Sequence, residues 1–596
     1  MRAIECDVLV VGAGGAGLRA AIAASDTLPG GKVLLATKGR LGKSGVTAVA
    51  CSERMAFHAT LPTTEPGGDD AWVHHAEDVY RIGGEVSDWD LAEVLARGSA
   101  GAFTYLDGLG VPFARHDGTP DQFLTDGSRY ARACYTGPQT ANHIEEALVR
   151  RLQETPVEVI DHSMLVDLLT AEGGSRVSGA MVLVGGEAVE VSASAVVLAA
   201  GGAGSAWEVN VFPRGMTGDG YAAAYRAGCE LVNMEFIQFG LCSVRTNLAC
   251  SGSAMRALPR MVNDLDEEFL PRYFAPNTTR ATIYNTLFAK GASWPISYEH
   301  PSHAIDLAVY REYQAGRKVY LDFSRNPEGL VLTDLDWNLI GRFRNKAEYY
   351  RTPEAAESPL ARMLAINQPT VEWLAARWLR LQGGERIEIA NAAQHFQGGV
   401  KIRRDAGTSI VGLYAAGECA GGQHGANRPG GHSLLDSQVF GRIAGESAAR
   451  FARARGVITP DGVSRDRASA SLVMARRETR PAAEVRGQLQ HLHSMVASVV
   501  RAPEEMTQGL RTIAALRAEG VSPDENGLEF WLETRNMLEV GEIVLTAANA
   551  RRESRGPHLY FAHYDDPEPL PRDDATGKRY IVIRRGADGK PEAAWE

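Results

Sequence analysis

No run of apolar residues in the 596-residue chain is long enough to cross a bilayer. The opening "MRAIECDVLVVGAGGAG" also lacks the basic start, apolar stretch and small-residue cleavage site of a secretory signal. A cytoplasmic location is the resulting expectation. There is no excess of positive charge: 62 basic against 73 acidic residues leave a formal net charge of −11, which gives no general affinity for nucleic acid or an anionic membrane. Cysteine is sparse. Cys6, Cys51, Cys134, Cys229, Cys242, Cys250 and Cys419 are scattered, odd in number and without a CxxC pair. That argues against a disulfide framework and against an iron–sulfur cluster held by this chain. No internal repeat or low-complexity tract interrupts the sequence.

What is present is an ordinary globular composition, 44% hydrophobic and 23% charged, in a chain too long for one core. "CDVLVVG" (6–12) reads as a buried parallel strand, "LRAAIAAS" (18–25) as a helix and "KVLLAT" (32–37) as a second strand. Between the first strand and the helix lies Gly12-Ala13-Gly14-Gly15-Ala16-Gly17. A GxGxxG string is weak evidence alone, but here it leaves a strand and opens a helix ahead of another strand. In that setting the glycines permit a tight turn and bring backbone N–H groups to a pyrophosphate at the positive end of the helix. The acidic residue usual after the second strand is replaced by Thr37-Lys38, which weighs against simple NAD binding.

A helix over about 89–110 and another over 140–152 are expected, then strands at "VEVIDH" and "GAMVLV". "SAVVLAAGGAG" (194–204) is a further strand ending in glycines, returning the chain to the same site near Gly201. From about 236 to 375 the aromatic, proline and charge content rises, as in an inserted capping domain. The glycine-rich pattern resumes over 411–449. Helices with breaks near "EGVSPDENG" fill 465–550, and the tail holds one strand-like segment, Tyr580–Arg584. His395, in "NAAQHFQGGVKI" (391–402), is open to two readings from its neighbours alone: a core histidine with its hydrogen bonds satisfied, or an imidazole facing a ligand.

Seven strings occur in order: "VVGAGGAGLRAA", "AAGGAG", "TGDGYAAAYRAG", "NMEFIQF", "GLYAAGE", "HGANRPGGHSLLDSQVFGRIAG" and "ARRESRG". Together they resemble the flavoprotein subunits of succinate dehydrogenase and fumarate reductase, with L-aspartate oxidase and adenylylsulfate reductase as relatives. The resemblance implies an α/β fold: an FAD-binding Rossmann-like domain, an inserted α+β capping domain and a C-terminal helical domain. The expected boundaries are 1–235 and 376–450 for the FAD-binding domain, 236–375 for the cap, 451–550 for the helical domain and 551–596 for a tail. It also implies that Gly12, Gly14, Gly15 and Gly17 hold the FAD pyrophosphate, that Lys38, Ser44 and Asp219 are FAD contacts, and that Glu418 accepts hydrogen bonds from flavin hydroxyls. Ser433-Leu434 would open the helix aimed at the flavin pyrimidine edge, where a helix N-terminus stabilises negative charge. "HFQGG" resembles the family's "HxxGG", in which the histidine holds a substrate carboxylate, and Arg428 falls at the arginine that grips and polarises the substrate. In that context the ligand-facing reading of His395 is favoured.

Three departures stand out. Gly45 in "KSGVTAVACS" occupies the position of the histidine to which many family members attach FAD covalently, so FAD is expected to be held non-covalently. Gly240 in "EFIQFGLCS" replaces a second substrate histidine, and the "TExxRGEG" loop has lost its Thr-Glu pair. Arg280, in "FAPNTTRATIYNTL", is a candidate for the family's proton-shuttling arginine, with a surface arginine paired to an acid as the equal alternative. The expectation is an FAD-dependent oxidoreductase that transfers a hydride between flavin N5 and a carbon beside a carboxylate or carbonyl, on a substrate other than succinate or fumarate. The alternatives are a flavoprotein served by a separate iron–sulfur or ferredoxin-like partner subunit, and a flavin-binding protein without turnover.

Overall fold

A computed structural model describes residues 2–125, 127–293, 295–341, 347–473 and 479–596. The first strand, Arg2–Val11, lies in a seven-stranded sheet with parallel neighbours Val33–Ala36 and Glu187–Leu198; Glu158–Ile160 and Leu413–Ala415 extend the parallel part on either side. Arg176–Val184 and Ser163–Ala171 add two antiparallel strands at one edge. Val8, Leu9, Val10 and Val11 are all buried, as expected of a parallel strand covered on both faces.

The helix Gly15–Thr27 follows the first strand directly. Its small residues let a second long helix, His432–Arg455, pack against it closely. A Cβ on Gly445 would stand 2.1 Å from the Ala20 carbonyl oxygen, and one on Gly441 2.7 Å from that of Ala16. Glycine at these two positions lets a helix from residue 432 onward dock on one formed by residue 27, joining distant parts of the chain around one site.

The inserted region forms a separate four-stranded antiparallel sheet in the order Ile237–Ser243, Ile387–Phe396, Val319–Asp322, Arg260–Asn263. Its own apolar core includes Leu241, Met255, Leu287, Leu321 and Ile389. Because the strand Ile387–Phe396 belongs to this sheet, the cap's hydrogen bonding runs past position 375, where composition alone drew its end. Helices Gly462–Ser471, Ala482–Val496, Pro503–Glu519 and Gly527–Ala550 follow. The tail supplies two strands, Ile581–Arg585 and Pro591–Trp595, the first of which pairs with Leu231–Val232. No helix among the described residues is long and apolar enough to cross a membrane.

Candidate functional site

A single cavity of about 2470 Å³ runs from the first glycine loop to the underside of the cap. Small-molecule sites span roughly 300–1,000 Å³, so this volume accommodates a dinucleotide-sized cofactor together with a substrate.

The glycines divide by role. A Cβ on Gly12 would lie 2.2 Å from the Ala199 carbonyl oxygen, and one on Gly17 only 1.8 Å from that of Gly12. These two are demanded by the tight strand-to-helix turn. Gly14, at the N-cap of the helix, is different: its Cβ would meet only Thr47 Oγ1, at 3.7 Å. The protein leaves open the space above Gly14 that a side chain would fill, directly before the N–H groups at the start of the helix. Gly45, at φ +91°, faces Gly14 across this cradle, where a Cβ on it would lie 3.7 Å from the Gly14 Cα. Gly12, Gly14, Gly15, Lys38, Ser44, Gly45, Gly201, Asp219, Glu418, Ser433 and Leu434 all line the cavity. Gly17 is not among the lining residues: it packs beneath the turn, 1.8 Å being all that would separate a Cβ from the Gly12 carbonyl oxygen.

Lys38 donates to Asp219 at 2.6 Å, Glu533 at 2.9 Å and Thr217 at 3.0 Å. Burial opposes its charge, but Asp219 and Glu533 prevail and hold its pKa above the ordinary lysine value. Asp219 also accepts from Asn536 Nδ2 at 2.8 Å. Lys38 and Asp219 thus form one cross-linked wall rather than two independent contacts. Ser44 donates to the Arg40 carbonyl at 2.9 Å. Glu418 accepts from the Phe396 N–H at 2.8 Å, and burial pushes its carboxyl up to about 8. Gly431, in the left-handed region at φ +91°, turns the chain into the helix His432–Arg455, whose first residues face the same cavity.

At the cap side His395 and Arg428 come together. His395 is only 5% exposed and Arg428 likewise 5%. Burial, followed by the charge of Arg428 and the neighbouring His424, holds the His395 imidazole neutral, well below the ordinary histidine pKa. In the antiparallel pairing its partner is Gln238, next to a bulge that shifts the register between Gln238 and Phe239. Directly opposite residues project from the same face of the sheet, and Gln238 reaches Arg428: Arg428 Nη2 donates to Gln238 Oε1 at 2.9 Å, while Gln238 Nε2 donates to Asn427 Oδ1 at 2.6 Å and to the Arg428 carbonyl at 3.0 Å. Gln238 therefore fixes the plane of the guanidinium.

Arg280 is not part of this assembly. Thr279 caps the helix Arg280–Lys290, and the cavity-facing residues are Thr282, Asn285, Thr286 and Ala289, spaced i, i+3, i+4, i+7. At 100° per residue, Arg280 points about 200° away from Thr282. It is 38% exposed beside Glu328, 3.6 Å away. The surface alternative is the observed one, and among the described residues of the cap the arginine that lines the cavity is Arg256.

Beside Arg256 stands Glu53, unnoticed in the sequence. Its carboxylate accepts from the Ser253 N–H at 2.7 Å, the Ala254 N–H at 3.1 Å and the Ser253 hydroxyl. A Cβ on Gly252 would fall 2.6 Å from Glu53 Oε2, so the absence of a side chain at 252 admits this acid. The loop that lacks its own Thr-Glu pair thus holds a carboxyl group from a point 200 residues earlier. Burial raises the Glu53 pKa against the lowering pull of Ser253, Ala254 and Arg256. Nothing in the local sequence around Glu53 signals this contact; a carboxylate within the apolar stretch after Gly45 is the single hint.

Comparison with known proteins gives a consistent result. The FAD binding domain family matches residues 7–434, and the fumarate reductase flavoprotein C-terminal family matches residues 486–596. A fumarate reductase (CoM/CoB) chain from Methanothermobacter marburgensis is 30% identical over 98% of this chain and 97% of its own. The L-aspartate oxidase of Streptomyces coelicolor is 27% identical over 98% and 92%. Among solved structures, Mycobacterium smegmatis Sdh1 in complex with UQ1 superposes with a TM-score of 0.77 at 26% identity, covering 100% of this chain and 94% of that one.

Proposed function

The chain belongs to the fumarate reductase/succinate dehydrogenase flavoprotein family of FAD-dependent oxidoreductases, and from that premise we propose that it transfers a hydride to or from a carbon adjacent to a carboxylate or carbonyl gripped by Arg428 and His395. The observation that carries the proposal is the meeting, in one cavity, of a buried Arg428–His395 pair with the open glycine cradle and the start of the helix His432–Arg455.

The residues fit FAD: the space above Gly14 suits a pyrophosphate, the wall of Lys38 and Asp219 borders it, and the Glu418 carboxyl can bond a sugar or ribityl hydroxyl. FAD held there supplies a two-electron donor or acceptor. The chain itself does the rest. Arg428, oriented by Gln238, offers a planar pair of N–H donors to the substrate oxygen atoms and stabilises charge that develops on them. Neutral His395 adds a donor without adding charge. Glu53, a half-buried acid beside Arg256, is the group suited to exchange a proton with the substrate, and its conjugate base would be stabilised by two backbone N–H groups and Arg256. FAD is bound without a covalent link, because Gly45 has no side chain to form one.

The preferred substrate carries one carboxylate or carbonyl at the Arg428 end and a less polar remainder. The support is Gly240 where a second imidazole would grip, with Leu241 turned into the cap core and the Cys242 thiol on the cavity wall. A second reading, fumarate or succinate, is favoured by Arg256, which could receive a second carboxylate, and by the relative named a fumarate reductase. Several relatives are named as subunits, which favours a separate electron-carrying chain, iron–sulfur or ferredoxin-like, as the redox partner. Anaerobic titration of the yellow protein with unsaturated monocarboxylates, enones, fumarate and succinate, read by flavin absorbance, tests the proposal. Absence of any flavin response across the panel would refute it.

A further inference from the structure

Three histidines outside the substrate grip meet beneath the start of the helix His432–Arg455. They come from three separate elements: His58 from the short strand Phe57–His58, His75 from the helix Ala71–Ile82, and His432 as the first residue of the long helix. All three are buried, and one ring nitrogen from each lies within 4.8 Å of those of the other two.

The ring nitrogens that face away from one another are already engaged. His58 Nε2 is 2.8 Å from Thr125 Oγ1, and His75 Nδ1 is 2.8 Å from Thr60 Oγ1. Such outer hydroxyls fix the tautomer and turn the other nitrogen of each ring inward. His75 Nε2 and His432 Nε2 are hydrogen-bonded to each other at 2.9 Å, a proton between them standing where a bound ion would. The His75 and His432 rings cross at 89°, and those of His58 and His432 at 66°, so the rings meet edge-on rather than stacking. His432 Nδ1 has no hydrogen-bond partner among the described residues, and the Gly430 backbone is the one group that His58 has beside its other ring nitrogen, without the geometry of a full hydrogen bond. Leaving buried polar nitrogens without a partner is costly in a folded protein.

We propose that His58, His75 and His432 bind a transition-metal ion of the zinc class through three neutral imidazole nitrogens. Three histidines leave the fourth tetrahedral position to a water molecule or hydroxide. Burial is the main cause holding all three imidazoles unprotonated, which keeps their lone pairs available to a metal at neutral pH. The charged groups nearby also define the fourth ligand. Arg132 acts on all three rings and is itself tied to Asp78 at 2.8 Å, while its Nη2 has no hydrogen-bond partner among the described residues. No carboxylate belongs to the cluster among the described residues, so a bound hydroxide, with its proton released to solvent, supplies the missing negative charge and an acceptor for Arg132. The ion would tie the turn that begins at Arg428 to the layer formed by residues 57–82, and so act as a structural clasp under the substrate arginine.

The test uses the flavin-loaded protein purified without chelators from zinc-supplemented medium. Elemental analysis should find about one zinc per chain, and X-ray absorption at the zinc edge should find a first shell of nitrogen and oxygen at about 2.0–2.1 Å with no sulfur. His58→Ala and His75→Ala should each lose the metal while retaining flavin absorbance. Metal-free wild-type protein, sulfur in the first shell, or undiminished zinc in both variants would overturn the assignment. If a variant does not fold, the metal content and absorption spectrum of the wild-type protein decide the matter on their own.

Discussion

Gln238 and Arg428 are locked together, side chain to side chain and side chain to backbone, across 190 residues of sequence. Gln238 takes a hydrogen bond from the guanidinium and returns one to the Arg428 carbonyl, while sitting opposite His395 in the cap sheet. The proposed substrate grip is therefore assembled from the cap and the FAD-binding region at once.

Gln238→Leu removes the acceptor that sets the guanidinium plane and leaves the remaining charge misdirected. A hydrogen bond to a charged group contributes about 1.5–3 kcal/mol, which corresponds to a loss of about ten- to a hundredfold in kcat/KM. Flavin content should stay near one per chain. Equal turnover in the variant, measured alongside flavin stoichiometry and Tm, would show that Arg428 does not depend on Gln238.

Gly14→Asp should abolish FAD loading. The cradle is open above Gly14, with only Thr47 within 4 Å of a substituent. A carboxylate there both fills the space and repels a pyrophosphate from the helix N-terminus. The variant should fold, because the protein itself leaves room, and be colourless. A folded yellow variant would mean that the first glycine loop does not carry the cofactor.

Acid precipitation of the native protein should leave the yellow colour in the supernatant. Gly45 has a backbone conformation that L side chains rarely adopt, at φ +91°, and has no atom with which to bond the flavin. A fluorescent flavin band that persists on a denaturing gel would contradict non-covalent binding.

That the residues of the proposed cofactor side share one cavity follows from information that is local in the sequence. The turn at Gly12–Gly17, the "AAGE" strand end and the glycines ahead of Ser433 each combine residue type with position in a strand or helix. The substrate side was less legible. His395 and Arg428 could be named, but their orientation by Gln238 depends on a sheet register and a bulge that no short string encodes. Glu53 reaches Ser253 only after the cap folds back, and Gly252 signals the contact by what it lacks. Of the two readings left open for Arg280, helix geometry decides: Thr279 starts its helix so that the cavity-facing side falls two residues later. The histidine cluster joins residues 58, 75 and 432, a separation beyond any spacing rule.

Stability of the flavin-free protein should vary with pH through Glu418. Its carboxyl, ordinarily near 4.5, is held by burial at about 8 in the folded chain. Between these values the folded state carries a proton that the unfolded state has lost, so stability is full below about 4.5 and falls as pH rises towards 8, by up to about 1.4 kcal/mol per pH unit. Glu418→Gln should flatten this part of the profile in denaturant titrations at pH 5, 6, 7 and 8. An unchanged slope would place the ionisation elsewhere.

The most direct test is rapid anaerobic reoxidation of the chemically reduced holoprotein, comparing the native chain with Arg428→Lys and His395→Ala, using an unsaturated monocarboxylate or enone against fumarate. The expected result is fast reoxidation by the monocarboxylate or enone and slow reoxidation by fumarate. Arg428→Lys should lose most of that rate while retaining its flavin, since lysine keeps the charge without the planar pair of donors, and His395→Ala should be affected mainly in the concentration of substrate required. Rapid reoxidation by fumarate would favour the dicarboxylate reading, and rates unaltered by Arg428→Lys would contradict the substrate grip itself.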